Sequence, residues 1–149
     1  RRNAFELSMR KGAEACGACG AVSAKNGEIV ATGVNRVTPE CDPTAHAEVS
    51  AIRAAAKELG TFDLSVCEIY TSCEPCPMCL GAIYWAHLDR MYYGNNKHDA
   101  AAIGFDDAFI YEELDLKPSE RRLPSEVLSP EEAIRAFLAW TEKKDKGEY

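Results

Sequence analysis

The sequence has no long apolar run, and this absence limits what the protein can be. A membrane-spanning helix needs about 20 consecutive apolar residues, and no stretch of the 149-residue chain approaches that length. The opening residues also lack the apolar core and small-residue cleavage site of a secretory signal. There is no internal repeat and no Gly/Ser-rich linker, so we expect one domain spanning residues 1–149 and a cytoplasmic location.

Positive charge is also scarce in this chain. Lysine and arginine total 17 against 24 aspartates and glutamates, which leaves a formal net charge of −7. Proteins that bind the phosphate backbone of nucleic acids usually present a basic face, and this chain has no basic run that could build one. A small, nearly neutral substrate therefore fits the composition better than a nucleic acid or a membrane surface.

Histidine is rare, whereas cysteine is plentiful: the chain contains three histidines and seven cysteines. An odd number of cysteines without an export signal argues against a disulfide framework, because such frameworks belong to oxidising compartments. In a reducing compartment, clustered cysteines indicate a metal site or catalysis. The cysteines are Cys16, Cys19, Cys41, Cys67, Cys73, Cys76 and Cys79.

Strand and helix signals alternate along the chain. A hairpin is predicted around Asn26-Gly27, a strong two-residue turn signal, and an Ala-rich helix is predicted to end at Gly60. Another helix is predicted to begin at Pro77, between two short strands with the sequences CEIYT and RMYYG. This alternation predicts an α/β fold, a three-layer sandwich around a mixed sheet.

A further amphipathic helix is predicted near the C-terminus. Ser129 is its predicted N-cap, Pro130 its first helical residue, and Glu132 stands at the capping-box position. Three of its apolar residues fall at one-face spacing: Ile134, Phe137 and Leu138.

His46 and Glu48 lie where the Ala-rich helix is predicted to start, in the sequence DPTAHAE. Residues two apart on a regular helix point in different directions. Both side chains can face one site only in the first turn, where the backbone is still entering the helix. His46 is therefore a candidate zinc ligand, and Glu48 is a candidate acid/base group beside it. The alternative for Glu48 is an exposed carboxylate that interacts favourably with the helix dipole.

Three cysteines recur at every third position in SCEPCPMCLG: Cys73, Cys76 and Cys79. A helix that begins at Pro77 places Cys76 at the N-cap and Cys79 in the first turn, where unpaired amides and the helix dipole favour the thiolate that zinc requires. Cys73 lies back toward the preceding strand. We therefore choose Cys76 and Cys79 with His46 as zinc ligands, which leaves one position for water. A structural site with Cys73 as a fourth ligand stays open as the alternative.

The combination of H-x-E and P-C-x-x-C is the known signature of zinc nucleobase deaminases, and HAE and PCPMC match it here. The surrounding stretches DPTAHAEVSAIRAAAKELG and IYTSCEPCPMCLGAIYWA resemble the cytidine deaminase superfamily, and within it the small bacterial guanine deaminases. The resemblance implies an α/β/α sandwich whose mixed central sheet has five strands. It also implies a homodimer, with exchange of the C-terminal helix between the two copies as a further expectation.

The resemblance implies hydrolysis of guanine to xanthine and ammonia, in which zinc activates a water and Glu48 moves its proton. Asn35 matches an asparagine that hydrogen-bonds the purine. Asp107 matches a catalytic carboxylate that contacts the substrate near its amino group, and Tyr149 matches a C-terminal tyrosine that closes over the pocket. From the residues alone, Asn35 could be a turn residue, Asp107 a loop cap and Tyr149 a frayed terminus.

One position departs from the family pattern. Small guanine deaminases usually carry a Gly-Pro-Phe-Gly-like run before the first strand, whose phenylalanine packs on the base, and Ala18 and Cys19 stand there in this chain. A stacked aromatic is worth about 1–3 kcal/mol per base in single-strand binders, so either Phe105 or Tyr149 compensates or base binding weakens. Cys16 and Cys19 form a C-x-x-C pair without a nearby histidine, which we interpret as incidental.

Several functions therefore stay open. The same chemistry could act on guanosine, cytosine or another aminated ring. The acidic balance disfavours a nucleic-acid-editing deaminase, and a non-catalytic zinc module is favoured only if Cys73 completes the coordination shell.

Overall fold

The computed structural model describes residues 1–14 and 19–149, and the chain divides into two compact units. The N-terminal unit is Arg1–Phe109 and the C-terminal unit is Ile110–Tyr149. No helix in the described ranges is long and apolar enough to cross a membrane. The elements are α1 (Arg2–Glu14), β1 (Gly20–Lys25), β2 (Glu28–Val34), α2 (Val37–Glu40), α3 (Ala47–Leu59), β3 (Cys67–Cys73), α4 (Pro77–Trp85), β4 (Arg90–Asn95), α5 (Lys97–Ala102), α6 (Ala108–Asp115), a 3-10 turn (Pro118–Glu120) and α7 (Pro130–Glu142).

The hairpin predicted at Asn26-Gly27 is confirmed and joins β1 to β2. Both turn residues have positive φ, 52° for Asn26 and 81° for Gly27, as a two-residue type I′ turn requires. The strands pair antiparallel, with an irregularity in register between Ser23 and Ala24. This turn chemistry sets the pairing of the first two strands.

The four strands form one mixed sheet in the order β2-β1-β3-β4. β1 pairs antiparallel with β2 and β3, whereas β3 and β4 run parallel and are connected through α4. The predicted α/β fold with a mixed sheet is confirmed, but a fifth strand is not. In the described residues the chain after β4 turns helical instead, because the Asn96 side chain accepts hydrogen bonds from the amides of His98 and Asp99 and so caps α5.

Helices pack on both faces of the sheet, as the alternation of strand side chains requires. One set of strand residues packs with α3 and α4, and the residues next to them pack with α1. The first set is Ala21, Ile69 and Met91, packed with Ala47, Ala51 and Ile83. The second set is Val22, Tyr70 and Tyr92, packed with Ala4 and Phe5. The N-terminal unit is therefore layered α/β/α.

Gly33 on β2 lets α3 approach the sheet closely. A Cβ atom at this position would lie 2.1 Å from the carbonyl oxygen of Ala47 and 2.4 Å from the amide nitrogen of Ala51. Both contacts are with backbone atoms, so only glycine fits without moving the helix. Because α3 begins at Ala47, this approach sets how His46 and Glu48 enter the site.

The C-terminal unit contains the 3-10 turn and α7. α7 begins at Pro130, as predicted, but the predicted capping box is wrong. Ser129 adopts a left-handed backbone conformation, and its side chain accepts no capping hydrogen bond. The large apolar residues of α7 are exposed: Ile134, Phe137, Leu138 and Trp140.

Candidate metal centre and active site

Two helix starts bring the three predicted metal ligands together. His46 is the N-cap of α3, Cys76 is the N-cap of α4, and Cys79 lies in the first turn of α4. Nδ1 of His46 lies 3.5 Å from Sγ of Cys76 and 3.5 Å from Sγ of Cys79. All three atoms lie within 4.8 Å of one another. The predicted helix starts, including Pro77 at the first helical position, are confirmed.

The spacing of these atoms fits a zinc ion. Zn–N bonds of about 2.0–2.1 Å and Zn–S bonds of about 2.3 Å at a tetrahedral angle place nitrogen and sulfur about 3.6 Å apart. The two observed separations of 3.5 Å agree with that value. Imidazole nitrogen and thiolate sulfur are also the donors that zinc prefers. Three such ligands leave the fourth tetrahedral position for water or substrate.

Among the described residues, one group of three side chains is close enough together to bind a metal ion, and Cys73 is not part of it. Its thiol lies 4.0 Å from the carbonyl oxygen of Asn96 and is hydrogen-bonded to the thiol of Cys19. The hydrogen bond with Cys19 lowers the pKa of Cys73. The geometry therefore gives no support to a four-ligand structural zinc site.

The pKa values of the two candidate thiol ligands, Cys76 and Cys79, are shifted in opposite directions. A hydrogen bond from Cys79, together with the nearby imidazole of His46, lowers the pKa of Cys76 to about 4. The same hydrogen bond raises the pKa of Cys79, whose side chain is fully buried. The lowered pKa of Cys76 favours its thiolate, which is the ligand form that zinc requires.

Glu48 lies beside the three candidate ligand atoms and is 4% exposed. Its Oε2 lies 3.4 Å from Sγ of Cys79, and its Oε1 lies 3.3 Å from Oγ1 of Thr71. Burial raises the pKa of the Glu48 carboxyl, because the charged form loses hydration. The alternative of an exposed helix-start glutamate is wrong. A buried carboxyl with a raised pKa is suited to accepting and returning a proton.

Sequence reasoning missed Thr71, which contacts Glu48 from the sheet. The Thr71 hydroxyl is fully buried and donates to the carbonyl oxygen of Cys73 at 2.8 Å. The signal was present in the strand pattern, because alternate residues of a strand face the same layer. Ile69, two residues earlier on β3, packs with the α3 layer, so Thr71 faces that layer too.

A cavity of about 480 Å³ opens onto the candidate metal site. Asn35, Phe105 and Asp107 line it together with His46 and Glu48. The structure thus brings the two predicted substrate-contacting residues of the N-terminal unit to the same cavity as the predicted metal and acid/base residues.

Asn35 has its side-chain oxygen engaged in a turn. Oδ1 accepts a hydrogen bond from the backbone N–H of Val37 at 3.1 Å, so the turn interpretation is correct. Only the oxygen of the amide can accept from an N–H group, which leaves Nδ2 as a donor. Asn35 can therefore hold the turn and donate to a ligand at the same time.

Asp107 and Phe105 form another part of the cavity wall. Partial burial raises the pKa of Asp107, and the nearby negative charge of Cys76 acts in the same direction. Phe105 is one of the two aromatic residues expected to compensate for the missing phenylalanine. It is 51% exposed and lines the same cavity.

The remaining sequence predictions lie elsewhere. Cys19 lines the cavity, but Ala18 and Cys16 fall outside the described residues. Tyr149 belongs to the C-terminal unit, where its side chain is 76% exposed. Its role over the pocket stays a prediction.

Comparison with known families decides the class of this fold. A family model described as the cytidine and deoxycytidylate deaminase zinc-binding region matches residues 2–95. The chain belongs to this family. The matched region contains His46, Glu48, Cys76 and Cys79, and zinc is the cofactor.

Individual relatives differ in how much of the chain they cover. Guanine deaminase of Bacillus subtilis (strain 168) is 52% identical over 133 residues, which are 89% of this chain and 85% of that protein. The X-ray structure of guanine deaminase from Bacillus subtilis covers 100% of this chain and 98% of its own, with 45% identity and a TM-score of 0.97. The tRNA-specific adenosine deaminase of Agrobacterium fabrum is 39% identical over 84 residues, 56% of this chain and 55% of that protein. Similarity to the guanine deaminase therefore extends well beyond the region shared with the tRNA enzyme.

Proposed function

We propose that this protein is a zinc-dependent aminohydrolase that converts free guanine and water to xanthine and ammonia. One observation carries the proposal: the buried Glu48 carboxyl lies 3.4 Å from Sγ of Cys79, beside three atoms spaced for zinc and at a cavity. Similarity along 89% of the chain to a guanine deaminase supports guanine as the base.

His46 would hold zinc through Nδ1, and Cys76 and Cys79 would hold it through their sulfur atoms. Bound zinc supplies a Lewis acid that makes water a competent nucleophile at neutral pH. A non-catalytic zinc module normally uses four protein ligands, so the three-atom group supports a catalytic site instead.

Glu48 is the proposed proton shuttle. As a carboxylate it accepts one proton from the attacking water and, as an acid, gives it to a ring nitrogen. It then accepts the second proton of that water and gives it to the amino group, which leaves as ammonia when the C–N bond breaks. Burial raises its pKa and so brings the two protonation states closer in free energy near neutral pH. Thr71, 3.3 Å away, would hold the carboxyl in place.

Asn35 and Asp107 are the proposed contacts to the base. With its Oδ1 engaged by the Val37 amide, Asn35 would donate through Nδ2 to an acceptor atom of the purine. The Asp107 carboxylate would accept from the amino group that is removed, and Phe105 would pack against the ring. Tyr149 is proposed to close over the pocket.

A free base suits both the cavity and the charge of the chain. The cavity volume of about 480 Å³ lies within the range of roughly 300–1,000 Å³ that is usual for small-molecule sites. The net charge of −7 opposes binding to a nucleic acid. Guanosine, cytosine and other aminated rings are the competing substrates.

We also propose a cytoplasmic homodimer in which the C-terminal helix is exchanged between the two copies. The exposed apolar residues of α7, among them Phe137 and Leu138, support this proposal, because such a helix face is usually covered by another surface.

The proposal is tested by ammonia release from guanine, guanosine, cytosine and adenine, together with zinc analysis. We expect one zinc per chain and the highest kcat/KM for guanine. In a Glu48→Gln variant we expect zinc to be retained and turnover to fall about 10²–10⁴-fold, the usual contribution of a general acid/base. Metal binding without turnover of any of these compounds would show a zinc module instead.

A further inference from the structure

Cys19, the residue before β1, and Cys73, the last residue of β3, fall opposite each other when the antiparallel register of β1 and β3 is continued past its last pair. The paired residues of β1 and β3 include Val22 with Tyr70 and Ala21 with Thr71. Two steps further along the same register lie Cys19 and Cys73. The amide of Gly20 donates to the hydroxyl of Ser72 at 3.0 Å, which holds the residues next to the two cysteines together.

This position satisfies the geometry of a disulfide bond. Directly opposite residues of antiparallel strands have Cα atoms about 4.5–5.5 Å apart, and disulfides join Cα atoms about 4.4–6.8 Å apart. Both residues also line the same two cavities, so their side chains lie in one region of the structure. The continued register therefore places the two cysteines within the range of Cα separations that a disulfide bond spans.

A small reagent can reach both thiols through the candidate active site. Cys19 and Cys73 line the 480 Å³ cavity and also an adjoining cavity of about 350 Å³. Two other cysteines, Cys67 and Cys41, differ in this respect. Cys67 is fully buried among apolar residues, and Cys41 is exposed outside both cavities.

We propose that Cys19 and Cys73 form a redox-active dithiol, a modification site that closes to a reversible disulfide while the candidate zinc ligands keep their metal. The oxidant is a low-molecular-weight disulfide. One cysteine thiolate attacks a sulfur of the oxidant and releases one thiolate, and the second cysteine then attacks the mixed disulfide and releases the other. The two cysteines lose two electrons and two protons, and the oxidant becomes two thiols.

The reaction is separate from zinc binding because the candidate ligands form a distinct group, His46, Cys76 and Cys79. Cys73 lies on the strand before them and pairs with Cys19. Oxidation of the dithiol should therefore leave the zinc content unchanged, and this readout does not depend on deaminase activity.

The test treats the zinc-loaded full chain with oxidised glutathione, blocks free thiols with iodoacetamide and maps peptides by mass spectrometry. Trypsin leaves Cys19 on residues 12–25 and Cys73 on residues 58–90, so a cross-link joins these two peptides. Fragment ions must assign it, since the first peptide also holds Cys16 and the second also holds Cys67, Cys76 and Cys79. We expect a Cys19–Cys73 cross-link, unchanged zinc, and reversal by dithiothreitol.

Serine variants provide matched controls. Cys19→Ser and Cys73→Ser should each abolish the cross-link, whereas Cys41→Ser should keep it. Circular dichroism of each variant shows whether its fold is intact, and the wild-type peptide map alone decides the assignment if a variant does not fold. A Cys16–Cys19 cross-link, alkylation of both Cys19 and Cys73 after oxidation, stable glutathione adducts, or zinc loss with cross-linking of Cys76 to Cys79 would each overturn the proposal.

Discussion

The hydroxyl oxygen of Thr71 lies 3.3 Å from Oε1 of Glu48, so the candidate acid/base group is held from the sheet as well as by its own helix. The same hydroxyl lies 2.8 Å from the carbonyl oxygen of Cys73. A single β-strand residue therefore links the carboxyl of Glu48 to the strand end that precedes the candidate metal ligands.

Replacement of Thr71 tests this link. Thr71→Val keeps the shape of the side chain but removes the hydroxyl that donates to the Cys73 carbonyl and contacts Oε1 of Glu48, while Glu48 keeps its contact with the Cys79 thiol. An unsatisfied buried polar group costs about 1–3 kcal/mol, so we expect kcat to fall about tenfold or more with zinc retained. Thr71→Ser keeps the hydroxyl and should stay within a few-fold of wild type. Equal kinetics for the valine and serine variants would contradict the role of the hydroxyl.

The burial of Glu48 predicts a pH-dependent difference in stability for the metal-free protein. Its pKa is raised by folding, so its stabilising contribution is fully present below the unfolded value of about 4.3 and is lost as the pH rises through the folded pKa. Glu48→Gln removes this titration. We expect the melting temperature of the variant to rise relative to wild type between pH 5 and pH 8, measured by thermal denaturation. A difference that is constant over this range would contradict the raised pKa.

A single substitution of Asn35 can distinguish its role in the turn from its proposed role in substrate binding. Asn35→Asp keeps an oxygen that accepts from the Val37 amide but removes the Nδ2 donor. We expect nearly unchanged thermal stability and an increase in KM for guanine of about tenfold, the scale of one lost hydrogen bond. Asn35→Ala, which loses both, should lower stability as well. If the aspartate variant binds guanine as wild type does, Asn35 is a turn residue only.

Gly33 on β2 allows the first turn of α3 to pack closely against the sheet. In Gly33→Ala the new Cβ would meet the Ala47 carbonyl oxygen at 2.1 Å, so the helix that carries His46 and Glu48 has to shift. We expect a loss of about 1–3 kcal/mol in the free energy of unfolding and a reduced zinc content. Gly81→Ala on α4 is the matched control, because its Cβ meets nothing within 4 Å. A variant of Gly33 with full zinc content would show that the approach is not needed for the metal site.

The candidate metal site could be predicted because its signals are local. Proline at the first helical position and a histidine at the entry to an Ala-rich helix mark two helix starts, and each start orients its own ligands. The choice of Cys76 and Cys79 over Cys73 needed nothing beyond the position of Pro77.

What could not be predicted depends on contacts between distant parts of the chain. The pairing of Cys19 with Cys73 follows from the register of β1 against β3, which periodicity within either strand does not contain. The contact between Thr71 and Glu48 also needs the packing of α3 on the sheet. The capping box at Ser129 failed for a local reason, because the backbone there is left-handed.

The central claim is that this chain catalyses hydrolysis at the amino-bearing carbon of guanine. The most direct test incubates the zinc-loaded protein with guanine in ¹⁸O-labelled water and analyses the product by mass spectrometry. The proposed mechanism predicts xanthine that carries one ¹⁸O atom and an equal amount of ammonia, with both formed about 10²–10⁴-fold more slowly by Glu48→Gln. Guanine left unchanged by the zinc-loaded protein, or xanthine without the label, would contradict it.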